Sequence, residues 1–285
     1  MSGSKIMEHG KSFSGRFIPI SRLLFLNLLS MDINTLLQAL TGQWYATIPY
    51  TISRDQFQRC INTFRTFIRE TPLSVRESVD VRHDPAQRFS LGFRDKSTSE
   101  GFDEKCYFHY NPHIQDHDFL SENRSYQEFI SAMDSIYREL DILVHEIFDG
   151  LIALGYAESE SLYNESSETN SNARILQYRP KETCEYLAKP HTDRGIFTLT
   201  LYETDPWLRF YLPDGTILPI QYEEFTLKLF PTDYWNTYVS YPLTPLTHDV
   251  IKESGNLERG SIVLFVNPAF GKWPFTEESL PENSY

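Results

Sequence analysis

The stretch 189-KPHTDRGIFTLTL-201 carries two signals in thirteen residues. Its second half alternates: Phe197, Leu199 and Leu201 interleave with Thr198 and Thr200, the period of a strand with one face in a core. Its first half sets His191 and Asp193 two residues apart, and in extended backbone positions i and i+2 project to the same side, so both can reach one ion. Taken alone the pair is weak. With 8 His and 39 acidic residues in 285, about one such spacing arises by chance.

Downstream, turn residues recur at Pro206, Pro213–Gly215, Pro231–Asp233, Pro242–Pro245 and Ser254–Gly255. Short strands at that spacing predict an antiparallel sandwich or barrel. Ile262–Val266 is apolar throughout and is expected to be buried on both sides. His248 follows His191 by 57 residues (248 − 191), and Arg259 and Ser261 come 11 and 13 residues later. Arg259 and Ser261, again two apart, are expected to face the same way, into the sandwich. An arginine at the start of a buried strand needs an anion, because an unpaired interior charge is very costly. No acid within its own strand supplies one, whereas a dicarboxylate ligand would fit the guanidinium fork. The competing readings are an internal salt bridge or a solvent-facing strand end. Two His and one carboxylate form the facial triad of non-haem iron(II) oxygenases, which leaves coordination positions open as a closed structural zinc site does not.

Upstream, the period is helical. Ser53 and Gln56 predict a capping box for a helix with Phe57, Ile61, Phe64 and Ile68 on one face, ended by Pro72. Ser125 and Glu128 predict a second box, opening a helix striped by Phe129, Met133, Ile136, Leu140, Leu143, Ile147 and Leu151, with Gly150 and Gly155 marking its end. Phe89–Phe93 and Tyr107–Tyr110 read as edge strands or loops, and 158–172, rich in Ser, Glu and Asn, as an exposed loop. The expected organisation is a poorly ordered extension over 1–30 and one domain over 31–285. Within that domain, 31–172 is helix-rich, 173–270 is the β core and 271–285 is a tail.

Net charge is −13, from 26 basic and 39 acidic side chains, with no basic stripe; this argues against a nucleic-acid partner. Cys60, Cys106 and Cys184 are scattered and odd in number, so neither a disulfide framework nor a thiolate zinc site is indicated, and a reducing cytoplasm is expected. The apolar run Leu23–Leu29 is short, interrupted by Asn27 and lacks a small-residue cleavage site, so it is not read as a secretory signal. No segment approaches the ~20 apolar residues of a membrane span. His83, His109, His113, His117 and His145 are read as surface or structural.

From about Tyr45 to Phe270 the chain resembles the 2-oxoglutarate/Fe(II)-dependent oxygenases related to isopenicillin N synthase. The motifs are, in order, ATIPY (46–50), KCYFHYNP (105–112), RILQYRP (174–180), KPHTDRGIFTLTL (189–201), the stretch 229–250 and RGSIVLFV (259–266). The resemblance implies an α+β fold, a double-stranded β-helix (jelly roll) core backed by helices from the N-terminal half. It implies iron(II) on His191, Asp193 and His248. It also implies 2-oxoglutarate held by Arg259 and Ser261, with Tyr178 as a hydrogen-bond donor, and O2 as the oxidant. The expected activity is hydroxylation, desaturation or cyclisation of a small organic molecule, with oxoglutarate decarboxylated to succinate. The chain departs from the family pattern in Asp249, where an arginine usually follows the distal His, in Thr232 for a glycine, and in Arg179 for a second tyrosine. An iron oxidase that does not use oxoglutarate, and a non-catalytic binding protein on the same fold, are the alternatives.

Overall fold

Ser53 caps the first long helix as its sequence predicts. Its hydroxyl accepts from the Gln56 amide, and the Gln56 side chain accepts from the Ser53 backbone N–H. The computed structural model describes residues 32–79, 92–96, 104–113, 120, 122–179, 185–205, 207–252 and 259–269. The extension 1–30, the tail 271–285, and His83, His117, Cys184, Pro206 and Ser254–Gly255 lie outside the described residues. Contacts gather the chain from Ile33 onward into one compact unit. Its helices are α1 (Ile33–Gln43), α2 (Arg54–Glu70), α3 (Leu73–Ser78) and α4 (Arg124–Ala153), with single turns at Ser159–Leu162 and Trp235–Tyr238.

All seven residues of the α4 stripe are buried. On α2, Cys60 and Phe67 join Phe57, Ile61 and Phe64 in the core, while Ile68 is only partly covered. The expected Ser125–Glu128 box is not formed. Asn123, just before the helix, caps α4 by accepting from the Tyr126 amide at 2.9 Å, and Glu128 pairs with Arg124 at the surface. A carboxamide two residues before Ser125 competes successfully for the same orphan N–H groups. Gly150 does not end α4 either. It lies inside the helix, where a Cβ would approach the Ile33 side chain of α1 to 3.1 Å, and Gly155, at φ +73°, terminates it.

Among the described residues, eleven strands form two antiparallel sheets. They are β1 (Ala46–Pro49), β2 (Gly92–Lys96), β3 (Lys105–Tyr110), β4 (Asn170–Tyr178), β5 (Tyr186–His191), β6 (Phe197–Glu203), β7 (Leu208–Tyr211), β8 (Ile217–Pro219), β9 (Thr226–Pro231), β10 (Thr247–Ile251) and β11 (Gly260–Asn267). The large sheet has order β1-β9-β6-β11-β4-β3-β2, the small one β5-β10-β7-β8. Helices α2 and α4 cover the outer face of the large sheet: Phe67 meets Phe108 edge-on, Phe148 meets Phe197, and Tyr137 donates to the Ser171 carbonyl at 3.0 Å. Its inner face meets the small sheet through a core containing Tyr107, Leu176, Tyr178, Leu208, Phe210, Phe230 and Val250.

Two expectations about this core are corrected. The polar stretch 158–172 is not an exposed loop throughout, because β4 begins at Asn170 and Asn170, Ser171 and Asn172 are buried. Part of their polarity is met by groups distant in sequence: Asn170 donates to the Pro268 carbonyl and Asn111 to the Ser171 carbonyl, each at 2.8 Å, while Asn170 Oδ1 and Asn172 Oδ1 are buried without a partner. Conversely, Ile262–Val266 is not sealed on both faces. Ile262, Leu264 and Val266 are buried against the helices, but Val263 and Phe265, on the inner face, are only partly covered. Among the described residues no helix is long and apolar enough to cross a membrane.

Candidate metal centre and arginine pocket

His191 ends β5 and His248 sits near the start of β10, directly opposite it across the ladder. Their ring centroids are 4.3 Å apart. Asp193, two residues past His191, closes the triangle: its Oδ1 lies 3.7 Å from His191 Nε2 and its Oδ2 3.6 Å from His248 Nε2. One potential ligand atom from each residue falls within 4.8 Å of the others. The sequence pairing of His191 with Asp193 is thus joined in space by His248, 57 residues on.

Two of the three donors, His191 and Asp193, are held from behind by hydrogen bonds. His191 Nδ1 lies 2.7 Å from the Lys189 carbonyl, so this nitrogen carries the proton and Nε2 presents its lone pair to the site. Thr198 of β6 donates to Asp193 Oδ2 at 2.9 Å. Burial holds His248 below the ordinary imidazole value against the opposing pull of Asp193, which favours the neutral, ligating form.

The loop carrying Asp193 is clamped to the large sheet. The Ile196 amide donates to the Val266 carbonyl at 2.7 Å, and the Thr232 hydroxyl and Tyr234 amide both donate to the Gly195 carbonyl. The Thr232 hydroxyl is thus one of two donors that hold the Gly195 carbonyl. Gly195 has φ +115°, and a Cβ there would stand 2.8 Å from the Val266 carbonyl oxygen. Gly195→Ala is expected to cost about 1–3 kcal/mol of unfolding free energy, measured by denaturant titration, and to weaken metal binding by displacing Asp193.

Asp249 does not support His248. It is fully buried on the opposite side of β10, where Arg209 Nε donates to it at 2.9 Å and the Tyr211 hydroxyl also donates, both from β7. Its charge partner comes from the neighbouring strand, β7.

Arg259 and Ser261 are 1% and 2% exposed. Ser261 pairs with Leu176, and the Arg259 carbonyl accepts from the Tyr178 amide, so both side chains share the inner face with Leu176 and Tyr178. The Tyr178 ring lies 5.3 Å from the Arg259 guanidinium carbon and 5.4 Å from Lys105 Nζ. Of the readings open for Arg259, an internal salt bridge is present: Glu203 of β6, outside the arginine's own strand, forms an ion pair with Arg259 Nη2. A bulge delivers it. The β6–β11 register skips Leu201, with Ile262 opposite Tyr202 and Val263 opposite Thr200, which turns Glu203 to the side of Ser261. This contact leaves Arg259 Nε buried without a hydrogen bond. Burial raises the Glu203 carboxyl above the usual carboxylate range, although Arg259 draws it down.

The remaining described histidines are engaged elsewhere: His113 with Asp141 and Glu168, His145 with the Asp141 and Ser167 carbonyls, and His109 with Arg174. Cys60 and Cys106 are buried, and burial pushes the Cys106 thiol up to about 11. Thr198, Glu203 and Arg174 were not singled out from sequence. Thr198 alone had a visible signal, as the inward position of the strand after the His-Thr-Asp run.

No protein-family model and no curated protein matches the chain by sequence. Solved structures do match. One is a full-length Neurospora crassa protein in complex with alpha-KG, at 17% identity and TM-score 0.64, covering 83% of this chain and 79% of that one. Another is dioxygenase for auxin oxidation 1 from Arabidopsis thaliana in a 2-oxoglutarate complex, at 17% identity and TM-score 0.63, with 83% and 87% covered. A third is a putative 2OG-Fe(II) oxygenase family protein from Caulobacter crescentus, at 18% and 0.61, with 86% and 85% covered. The chain shares the fold of these structures.

Proposed function

We propose that this chain is an iron(II)- and 2-oxoglutarate-dependent oxygenase of a small organic molecule, built as a single domain over 31–285 around a double-stranded β-helix. The observation that carries the reading is the convergence of His191, Asp193 and His248 between two sheets whose inner face also bears Arg259. The donor set fits iron(II): two neutral imidazoles and one carboxylate leave positions for a chelating oxoacid and dioxygen. From β4 to β11 the chain passes back and forth between the two sheets, broken only by the β7–β8 pair within the small sheet, which agrees with the jelly-roll wind. Two of the similar structures hold alpha-KG or 2-oxoglutarate, which agrees with the co-substrate. A cytoplasmic setting fits the buried free thiols.

Bound iron(II) would supply the activation of O2 that couples oxidation of the substrate to decarboxylation of oxoglutarate. The protein's part is positioning. Lys189 fixes the His191 tautomer, Thr198 orients the Asp193 carboxylate, and burial keeps His248 uncharged. Arg259, whose Nε is buried without an acceptor, and Ser261 would take the distal carboxylate of oxoglutarate, with Tyr178 beside them.

A second reading has one specific observation in its favour. Glu203 already stands on Arg259, as would suit an iron oxidase that does not use oxoglutarate. Anaerobic addition of iron(II) and then oxoglutarate to the apoprotein separates the two. A metal-to-ligand absorption band, weakened in Arg259→Ala, is the expected result. Iron binding with no band on adding oxoglutarate favours the oxidase, and no iron binding by folded protein overturns both.

A further inference from the structure

The inner face of the large sheet holds a second arginine in a different place. Arg174 of β4 is opposite His109 on β3 and Val263 on β11, and it is separated from Leu176 and Tyr178 by steps of two, so it faces the small sheet as they do. It is half-buried and firmly held. Its guanidinium carbon lies 5.2 Å from the Tyr107 ring and 4.5 Å from the Phe265 ring, and its Nε donates to His109 Nε2. That hydrogen bond makes His109 the acceptor, hence neutral at this nitrogen. Both terminal amino groups of the fork remain, and no described residue offers Arg174 a carboxylate. Such an arginine, in a chain of net charge −13, points to an external anion.

Its place relative to the metal centre follows from the register. Asp193 accepts from Thr198, Thr198 is opposite Phe265, and the Phe265 ring lies under Arg174. Strands β6, β11 and β4 are neighbours and Thr198 lies two residues along from the row of Arg174, so the two stand about 12 Å apart on the sheet. Tyr178, beside Arg259, is four residues further along β4, or roughly 13 Å. One oxoglutarate therefore leaves Arg174 to another molecule. Between Arg174 and the metal centre, the partly covered side chains of Val263 and Phe265 offer an apolar surface.

Resting on the oxygenase reading above, we infer that Arg174 anchors the carboxylate of the prime substrate, whose apolar body lies along Val263 and Phe265 with its far end at His191, Asp193 and His248. With Nε taken by His109, the two terminal amino groups leave one two-pronged face that matches the two oxygens of a carboxylate.

The test is a calorimetric titration of the full chain, saturated with oxoglutarate, with phenylacetate, phenylpropanoate and hexanoate, each against its neutral amide, and with phenyl phosphate. The carboxylates are expected to bind at least about tenfold tighter than the amides, the scale of a charge-assisted hydrogen bond. Arg174→Gln erases that preference, and Arg174→Lys, which keeps the charge but not the fork, retains part of it; thermal melts of both report whether the fold survives. The inference is overturned if acids and amides bind alike, if Arg174→Gln keeps the preference, if phenyl phosphate binds tightest, or if none of the carboxylates binds saturably. Oxoglutarate titrated alone is the separate arm. If it fails to bind while the Arg174-dependent preference persists, the co-substrate reading falls and the anion site stands.

Discussion

Replacing His191 by alanine is expected to weaken iron(II) binding by at least about a hundredfold, beyond the 10–100-fold typical of losing an outer support, while changing stability by no more than about 0.5 kcal/mol. The asymmetry comes from where the residue sits. The His191 imidazole is 44% exposed, and its interactions are the Nδ1 bond to Lys189 and the approach to Asp193 and His248. Removing it deletes one donor of three and opens no cavity in the core. His248→Ala deletes a donor too, but this imidazole is buried and packs on Phe230 at 5.2 Å, so it is expected to lower stability as well by about 1–3 kcal/mol. Thr198→Val keeps all three donors and frees the Asp193 carboxylate to rotate, and it should fall in the 10–100-fold range. Competition with a chelator gives the affinities, and denaturant unfolding gives the stabilities. Tight iron binding by folded His191→Ala would remove His191 from the ligand set, and with it the reading of the site.

The metal triangle was open to reading because each step obeys a short-range rule. His191 and Asp193 are i and i+2 at the end of β5, and the alternation from Phe197 to Leu201 fixes which way the next strand, β6, faces. His248 needed the order of motifs, since nothing local separates it from other histidines. The partner of Arg259 was not open to reading. Counting alternation along FTLTLYE puts Thr198, Thr200 and Tyr202 on one face and Glu203 on the other; one bulge at Leu201 reverses the assignment. An inserted residue of ordinary type leaves no trace in composition. The start of β4 was hidden for another reason: Asn170, Ser171 and Asn172 look like loop residues, and their burial depends on acceptors and donors at Asn111, Tyr137 and Pro268, all distant in sequence. Charge exchange between Asp249 and Arg209 is of the same kind, a cross-strand compensation 40 residues apart that a single position cannot announce.

Glu203→Gln is expected to tighten oxoglutarate binding at neutral pH by about tenfold or more, and to remove a pH dependence that the parent protein shows. In the free protein Glu203 is the acid on Arg259, held above the usual carboxylate range by burial and pulled back by that guanidinium. A co-substrate carboxylate arriving at Arg259 takes over much of this attraction and adds a like charge beside Glu203, so the Glu203 value must rise further on binding. Asp205, just past β6, pushes in the same direction, and Arg259 is the cation opposing it. The sign follows. Below both values Glu203 is protonated in both states, and affinity does not vary with pH on its account. Between the lower value of the free protein and the higher value of the complex, binding takes up a proton, and affinity falls by up to about tenfold for each unit of rising pH. Titrations in buffers of different ionisation enthalpy read that uptake directly, and it should vanish in Glu203→Gln. The same substitution leaves Arg259 buried without a counter-charge, so the free variant should lose about 3–5 kcal/mol of stability. Saturating oxoglutarate, restoring a carboxylate to Arg259, should then raise its melting temperature more than it raises that of the parent. Equal affinity in both proteins, with no proton uptake in either, would mean that Glu203 stays on Arg259 when oxoglutarate binds and that the co-substrate carboxylate is held elsewhere.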